Sequence, residues 1–182
     1  MKTRALLFLT IGLAFTPALA QDAGLDSLRR ALRQAAGNDE LFARTAIELS
    51  QRYWANGIMD SALIVAQRGM ERVGNAPSAQ QHRVALSKAE GMALFASGAW
   101  PAALEAFQRM HRFAEAVGDD HGLGRALTYE GHTLREMGDN GNAIGRYREA
   151  IRVLGRGEQA VLGHAYHGLA TTFTNEEEWD SA

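Results

Sequence analysis

The segment 123–154 constrains the fold of this chain more than any other, because it has the pattern of two amphipathic helices joined by a tight turn. Small and apolar residues recur at helical spacing on both sides of that turn. They are Leu127, Gly131 and Leu134 before it, and Ala143, Tyr147, Ala150, Ile151 and Leu154 after it. Gly138 is suited to end the first helix in a left-handed conformation, and Asp139 or Asn142 to cap the second. The segment therefore predicts a helical hairpin.

Two copies of this pattern precede the segment, and an incomplete copy follows it. The copies contain Ser50, Tyr53, Gly57, Ala62, Ala66 and Gly69; Gly91, Leu94, Gly98, Ala103, Phe107 and Met110; and Ala170, Phe173, Trp179 and Ala182. Subtracting residue numbers places Ala62, Ala103, Ala143 and Ala182 at intervals of 41, 40 and 39 residues. So regular a period is typical of a repeat array, in which each unit buries its apolar face against the next.

The pattern resembles the tetratricopeptide repeat, which pairs a small residue and an aromatic or apolar one on its first helix with an alanine and an aromatic on its second. The period exceeds the roughly 34 residues of the commonest form. It is similar to the longer form found in kinesin light chains and in periplasmic arrays of bacterial sensor kinases. The resemblance implies an all-α chain, an α-solenoid of antiparallel helical hairpins.

Three positions depart from the family pattern. Glu90 and Glu130 precede the small residues Gly91 and Gly131, where an apolar residue is usual, and Glu177 replaces the turn glycine. A buried carboxylate is costly unless it is paired, so Glu90 and Glu130 would each need an arginine or a backbone donor.

The sequence divides into a signal peptide at 1–20, a capping helix at 21–37 and repeats over 38–182. The repeats fall at about 39–74, 79–117, 120–155 and, incompletely, 158–182. In the capping helix Leu25, Leu28, Leu32 and Ala35 share one face, and Asp22 or Asp26 is available as its cap. Ser78 is expected to cap the second hairpin, and Pro101 suits the first turn of a helix.

The N-terminus has the pattern of a secretory signal. Lys2 and Arg4 precede an apolar run, Pro17 breaks it, and a small-residue cleavage site ends at Ala20. The alternative is an uncleaved membrane anchor, although a run of about 11 residues is too short to span a bilayer. The chain contains no cysteine, which excludes a lipoprotein anchor, a disulfide framework and a thiolate zinc site. A periplasmic or secreted protein is predicted.

The last residues, 178–182, match the opening of a second repeat helix, as Asp60, Ser61 and Ala62 do earlier. A solenoid normally ends in a cap with a polar outer face. We therefore expect an N-terminal fragment of a longer protein; the alternative is a natural end with a frayed tail.

Charge and motifs argue against nucleic-acid binding and catalysis. The net charge is −2, and removing the two positive charges of the signal leaves −4. The 155–160 stretch matches the letters of a dinucleotide fingerprint, but a helix precedes it. His164 and His167 lack a third metal ligand nearby, which favours a solvated pair, and Asp119 and Asp120 fit a helix cap better than a cation site. No enzymatic activity, metal or cofactor is predicted.

The resemblance also implies a concave groove lined by the first helix of each hairpin. Its predicted residues are Arg44, Ile47, Gln51, Trp54, Lys88, Met92, Phe95, Arg125, Thr128, His132, Arg135, His164, His167 and Thr171. This basic and aromatic set would suit an extended or acidic segment of a protein or peptide. Capture is expected to strengthen below about pH 6.5 as His132, His164 and His167 become charged. Equally, the arginines could be solvated, with Trp54 and Phe95 in the core between hairpins.

The sequence thus predicts an exported, non-enzymatic interaction module, the extracytoplasmic sensory part of a larger bacterial signalling protein. One alternative is a free periplasmic scaffold or assembly factor made only of repeats. Another is a repeat domain attached to a downstream enzyme.

Overall fold

The computed structural model describes residues 17–74, 79–155 and 159–180, with side chains between 23 and 174 in those ranges. Every element in them is helical. The helices are α1 (Pro17–Gln34), α2 (Asp39–Ala55), α3 (Met59–Arg72), α4 (Gln80–Ala96), α5 (Trp100–Ala116), α6 (Asp120–Glu136), α7 (Asn140–Leu154) and α8 (Gln159–Asp180), with a 3-10 turn at Ala35–Gly37. Within the described ranges, no helix is both long and apolar enough to cross a membrane.

The helices pack as stacked hairpins. Helices α2 and α3, α4 and α5, and α6 and α7 form pairs, and three-residue connections make each pair antiparallel. Each pair stacks on the next, and the first helices α2, α4, α6 and α8 also contact one another in sequence. Helix α1 packs on α2. The prediction of an all-α solenoid is confirmed for the described residues.

Large side chains of second helices pack into spaces left by small residues on first helices. Phe107 on α5 is 1% exposed, and a Cβ added to Gly91 on α4 would lie 2.4 Å from its ring. Tyr147 on α7 is fully buried, and a Cβ added to Gly131 on α6 would lie 2.7 Å from its ring. The same close contact of an aromatic ring with a glycine thus recurs in two consecutive hairpins, where a larger side chain than glycine would not fit without a shift.

The turns follow the chemistry expected of them. Gly57, Gly98 and Gly138 end the first helices with φ of +74°, +77° and +82°, a conformation that favours glycine. Asp119 accepts a hydrogen bond from the backbone N–H of Gly122 at 2.8 Å, and Asp139 caps α7 in the same way. The predictions that Asp119 and Asp139 cap the two helices of the third hairpin are therefore correct.

The N-terminal helix differs from its prediction. Helix α1 begins at Pro17, so Asp22 and Asp26 lie inside it and neither caps it. Proline needs no hydrogen-bond donor in a first turn, which makes Pro17 a suitable start. Leu25, Leu32 and Ala35 are buried as expected. Residues 1–16, which contain most of the predicted signal, and Ser78, the predicted cap of α4, lie outside the described residues.

The fourth repeat also differs from its prediction. A turn and a new helix are expected near residue 178, but α8 continues without a break from Gln159 to Asp180. The other first helices end at a glycine with positive φ, whereas Glu177 occupies that place in the fourth repeat. Without the glycine, continuing the helix is the less costly conformation for the backbone. Residues 156–158 and 181–182 lie outside the residues that the structure describes.

Candidate ligand groove

Two neighbouring cavities lie along the surface formed by the first helices. The one between α2, α4 and α6, which we call the Lys88 cavity, has a volume of about 350 Å³. Its lining residues are Ser50, Gln51, Trp54, Ala55, Lys88, Ala89, Met92, Arg125 and Tyr129. Five of them, Gln51, Trp54, Lys88, Met92 and Arg125, belong to the groove predicted from the repeat pattern. The structure thus brings together residues up to 74 positions apart in sequence, from Gln51 to Arg125.

The second cavity lies between α6 and α8 and has a volume of about 300 Å³. It is lined by His121, Arg125, Thr128, Tyr129, Ala160, Val161 and His164. We call it the His164 cavity. Since Arg125 and Tyr129 line both cavities, the two form one groove with a shared wall.

Cationic groups dominate the groove. Among the lining residues of the two cavities there is no Asp or Glu. The ammonium of Lys88 has no ion pair or hydrogen bond within the described part of the chain. Burial, and secondarily the positive charge of Arg125, lower the pKa of Lys88 to about 8. An ammonium in this setting is poorly solvated and would gain from a carboxylate nearby.

Arg125 lies at the centre of the groove, against two side chains of its own helix. Its guanidinium donates to the hydroxyl of Tyr129 at 3.4 Å and lies 3.4 Å from Nε2 of His121. The Tyr129 ring stacks on Phe107 with centroids 5.0 Å apart. Because Phe107 is fixed in the core, the wall between the two cavities is anchored to the packing of α5.

Other predicted groove residues do not line the two cavities. Arg135 pairs with Glu136 at 2.8 Å, so its charge is offset by its own neighbour. Phe95 is half-buried, and Arg44 and His167 are exposed. Trp54 is 40% exposed, which rules out its alternative place in the core.

His132 cannot act as predicted. Its Nδ1 lies 2.8 Å from the hydroxyl of Tyr147, and the two rings meet edge to face. Burial, followed by the charge of Arg135, lowers the pKa of His132 to about 4. It therefore stays neutral at the mildly acidic pH where it was expected to strengthen capture, and its role is in packing.

Tyr129 and His121 are groove residues that the repeat pattern did not predict. Both lie on α6 one turn from Arg125, at positions 129 and 121. The helical spacing of four residues on either side of Arg125 is the signal that could have found them.

Glu90 is buried and paired, as its departure from the family pattern requires. It is 8% exposed, its Oε2 accepts from Arg109 on α5 at 2.7 Å, and Gln67 on α3 donates to its Oε1 at 3.3 Å. The carboxylate therefore joins two consecutive hairpins.

Glu130 repeats this arrangement one hairpin later. Its Oε1 lies 3.0 Å from Nδ1 of His111 on α5, and its Oε2 lies 3.0 Å from Nε of Arg146 on α7. The contact to Arg146 is an ion pair without the angle of a hydrogen bond. Burial raises the pKa of Glu130, and the charges of Arg146 and His111 oppose that rise.

The described residues contain no group of three or more His, Cys, Asp or Glu side chains that could hold a metal ion. His164 lines the groove beside Arg125, whereas His167 points to neither cavity. What the groove offers is cationic and apolar surface rather than metal ligands.

No protein-family model and no curated protein matches this sequence. The solved structures that match the fold include three of tetratricopeptide-repeat proteins. The apo form of RapI has a TM-score of 0.79 at 13% identity, covering 90% of this chain and 46% of RapI. A signal transduction ATPase with numerous domains and a tetratricopeptide repeat sensor, from Pyrococcus horikoshii, has a TM-score of 0.70 at 16% identity, covering 89% and 26%.

The third structure, MamA, has a TM-score of 0.56 at 18% identity, covering 97% of this chain and all of MamA. These similarities define the fold: the chain is all-helical and its fold is similar to that of tetratricopeptide-repeat proteins. It spans less than half the length of RapI and about a quarter of the length of the ATPase.

Proposed function

We propose that this protein is an exported, non-enzymatic module that binds an acidic segment of a protein or peptide in the groove between its first helices. One observation carries the proposal: Lys88 and Arg125 line the same cavity, and no carboxylate is among the residues that line it. A ligand carboxylate there would receive charge-assisted hydrogen bonds. Trp54 and Met92 supply apolar surface beside the charges.

The stacked hairpins would hold these groups in place before a ligand arrives. Tyr129 is stacked on a core residue, and the helices that bear the groove are each packed against a partner helix. A preorganised site loses little conformational freedom on binding, so binding should need little rearrangement.

We further propose that the module is the extracytoplasmic sensory part of a larger signalling protein. Two observations support this: the signal-like N-terminus, and a fold similar to that of a signalling ATPase with a repeat sensor. A free periplasmic scaffold is the second candidate, favoured by the similarity to MamA over its whole length.

Partner recovery tests the groove directly. The wild-type protein and the double variant Lys88→Met/Arg125→Met are used to capture partners from a periplasmic extract at low and high salt. The double variant should lose about tenfold or more in partner recovery, because two charge-assisted contacts disappear.

The control is Arg112→Met, which removes one exposed charge from α5. It should capture as the wild type does. Equal recovery by a correctly folded double variant would reject the groove as the binding surface.

A further inference from the structure

The Lys88 cavity combines features that select a narrower class of ligand than an acidic surface does. Its charged groups are Lys88 on α4 and Arg125 on α6, and the rest of its lining is neutral. Trp54, Met92 and the ring of Tyr129 provide apolar walls close to these cations. A ligand that fills the cavity must therefore carry one anionic group and one apolar body.

Lys88 has an unusual place in the composition of this chain. Seventeen of its 19 basic residues are arginine, and Lys88 is the only lysine after Lys2. Several arginines form ion pairs with carboxylates, as Arg109 does with Glu90. Lys88 is instead half-buried without a counter-charge among the described residues.

The size of the cavity limits the ligand. A volume of about 350 Å³ is near the lower end of the roughly 300–1,000 Å³ typical of small-molecule sites. The indole of Trp54 and the phenol of Tyr129 lie on its border, and large rigid side chains of this kind set the width of a site.

We propose that the Lys88 cavity binds a small apolar carboxylic acid, with the carboxylate between Lys88 and Arg125 and the apolar body against Trp54 and Met92. This proposal names the ligand class of the same groove, and it rests on the proposed function for the location of the site. It commits to a free small acid as the ligand; an acidic residue carried by a peptide is the competing outcome.

The charge of Lys88 gives the complex a defined pH dependence. The groups that face Lys88 are Arg125 and Tyr129 from α6, while α2 contributes the uncharged Ser50, Gln51 and Trp54. Since the pKa of Lys88 is about 8 in the free protein, its ammonium is lost as the pH rises through 8. Binding should weaken over that range, and a bound carboxylate should raise the pKa of Lys88 and cause proton uptake near pH 8.

Calorimetric titration with 3-phenylpropanoate, 4-methylpentanoate, acetate and 3-phenylpropanamide tests the proposal. At pH 6.5 at least one of the two larger acids should bind about tenfold or more tightly than acetate and the amide, because only it satisfies both halves of the cavity. Lys88→Met, which keeps the length of the side chain and removes its charge, should lose that advantage. Arg112→Met should bind as the wild type does.

The same titration at pH 9 should show weaker binding by the wild type and no pH effect in Lys88→Met. Arg125→Met is a second variant in case Lys88→Met is poorly folded. Equal affinity for the acid and its amide would overturn the inference, as would undiminished binding by both variants.

Acid binding and partner recovery together distinguish failure of the small-acid site from failure of the proposed function. If neither larger acid binds while an acidic peptide does, and the peptide depends on Lys88, the small-acid ligand is rejected and the proposed peptide groove stands. If the acids bind but partner recovery is unchanged in the double variant, the proposed function fails and the small-acid site stands.

Discussion

Replacing Gly91 by alanine should unfold this protein at a lower denaturant concentration, although alanine is normally the better helix residue. The glycine lies within α4 and is buried. A Cβ at this position would lie 2.4, 2.7 and 2.8 Å from three atoms of the Phe107 ring, distances that real Cβ atoms do not occupy. One of the two helices, or the ring, must shift.

The ring has little freedom to shift. Phe107 is 1% exposed, and Tyr129 stacks on it at a centroid distance of 5.0 Å. Forcing an extra carbon into a packed core costs about 1–3 kcal/mol, while removing a glycine from a helix interior gains about 1 kcal/mol. The net loss should reach up to about 2 kcal/mol, which for a chain of this size is about 2–4 °C in the melting midpoint per kcal/mol.

Gly145→Ala is the matched control, because Gly145 lies inside α7 with no atom within 4 Å of an added Cβ. It should stabilise the protein by up to about 1 kcal/mol. Urea unfolding followed by circular dichroism measures both variants. If Gly91→Ala is as stable as the wild type while Gly145→Ala is stabilised, Phe107 can move aside and the account of the packing is wrong.

The remaining predictions concern charge and export. Arg146→Met should cost about 1–3 kcal/mol, because Glu130 then keeps its burial with only His111 beside it, and adding Glu130→Gln should recover much of the loss in urea unfolding. His132 has a pKa of about 4, below its usual 6.5, so its stabilising contribution is complete above pH 6.5 and is lost as the pH falls toward 4. The contribution is at most about 3 kcal/mol, and unfolding of His132→Gln should change less over this range. Protein recovered from a bacterial periplasm should begin at Gln21 by mass spectrometry; retained Met1 would contradict export.

The hairpins were predictable because their signals are local. Gly138 and Asp139 determine a turn and a cap by their own conformation and side chain. The pairing of Gly131 with Tyr147 recurs as Gly91 with Phe107, so one hairpin pattern predicts the next. The repeat pattern predicts a turn near residue 178, but Glu177 stands where the other first helices have their turn glycine, and α8 therefore continues unbroken.

The groove was predictable in part, for the same reason. The repeat period predicts which residues face one surface. Gln51, Lys88 and Arg125 were predicted in this way, and they line one cavity. It does not predict the partner of each side chain, since that depends on packing between hairpins. The neutral state of His132 follows from its contact with Tyr147 on another helix, which no local pattern reveals.

Labelling of Lys88 by an amine-reactive reagent tests the central claim, that this groove holds a carboxylate-bearing ligand, most directly. Lys88 is the only lysine after Lys2, so peptide mapping by mass spectrometry reads its modification without interference. In free protein it should react readily at pH 7.5, since its pKa is about 8. In protein recovered with its bound partner, or saturated with a binding acid, labelling should fall about tenfold, because the carboxylate holds the ammonium in its charged form. Equal labelling of free and bound protein would mean that the ligand does not occupy the groove.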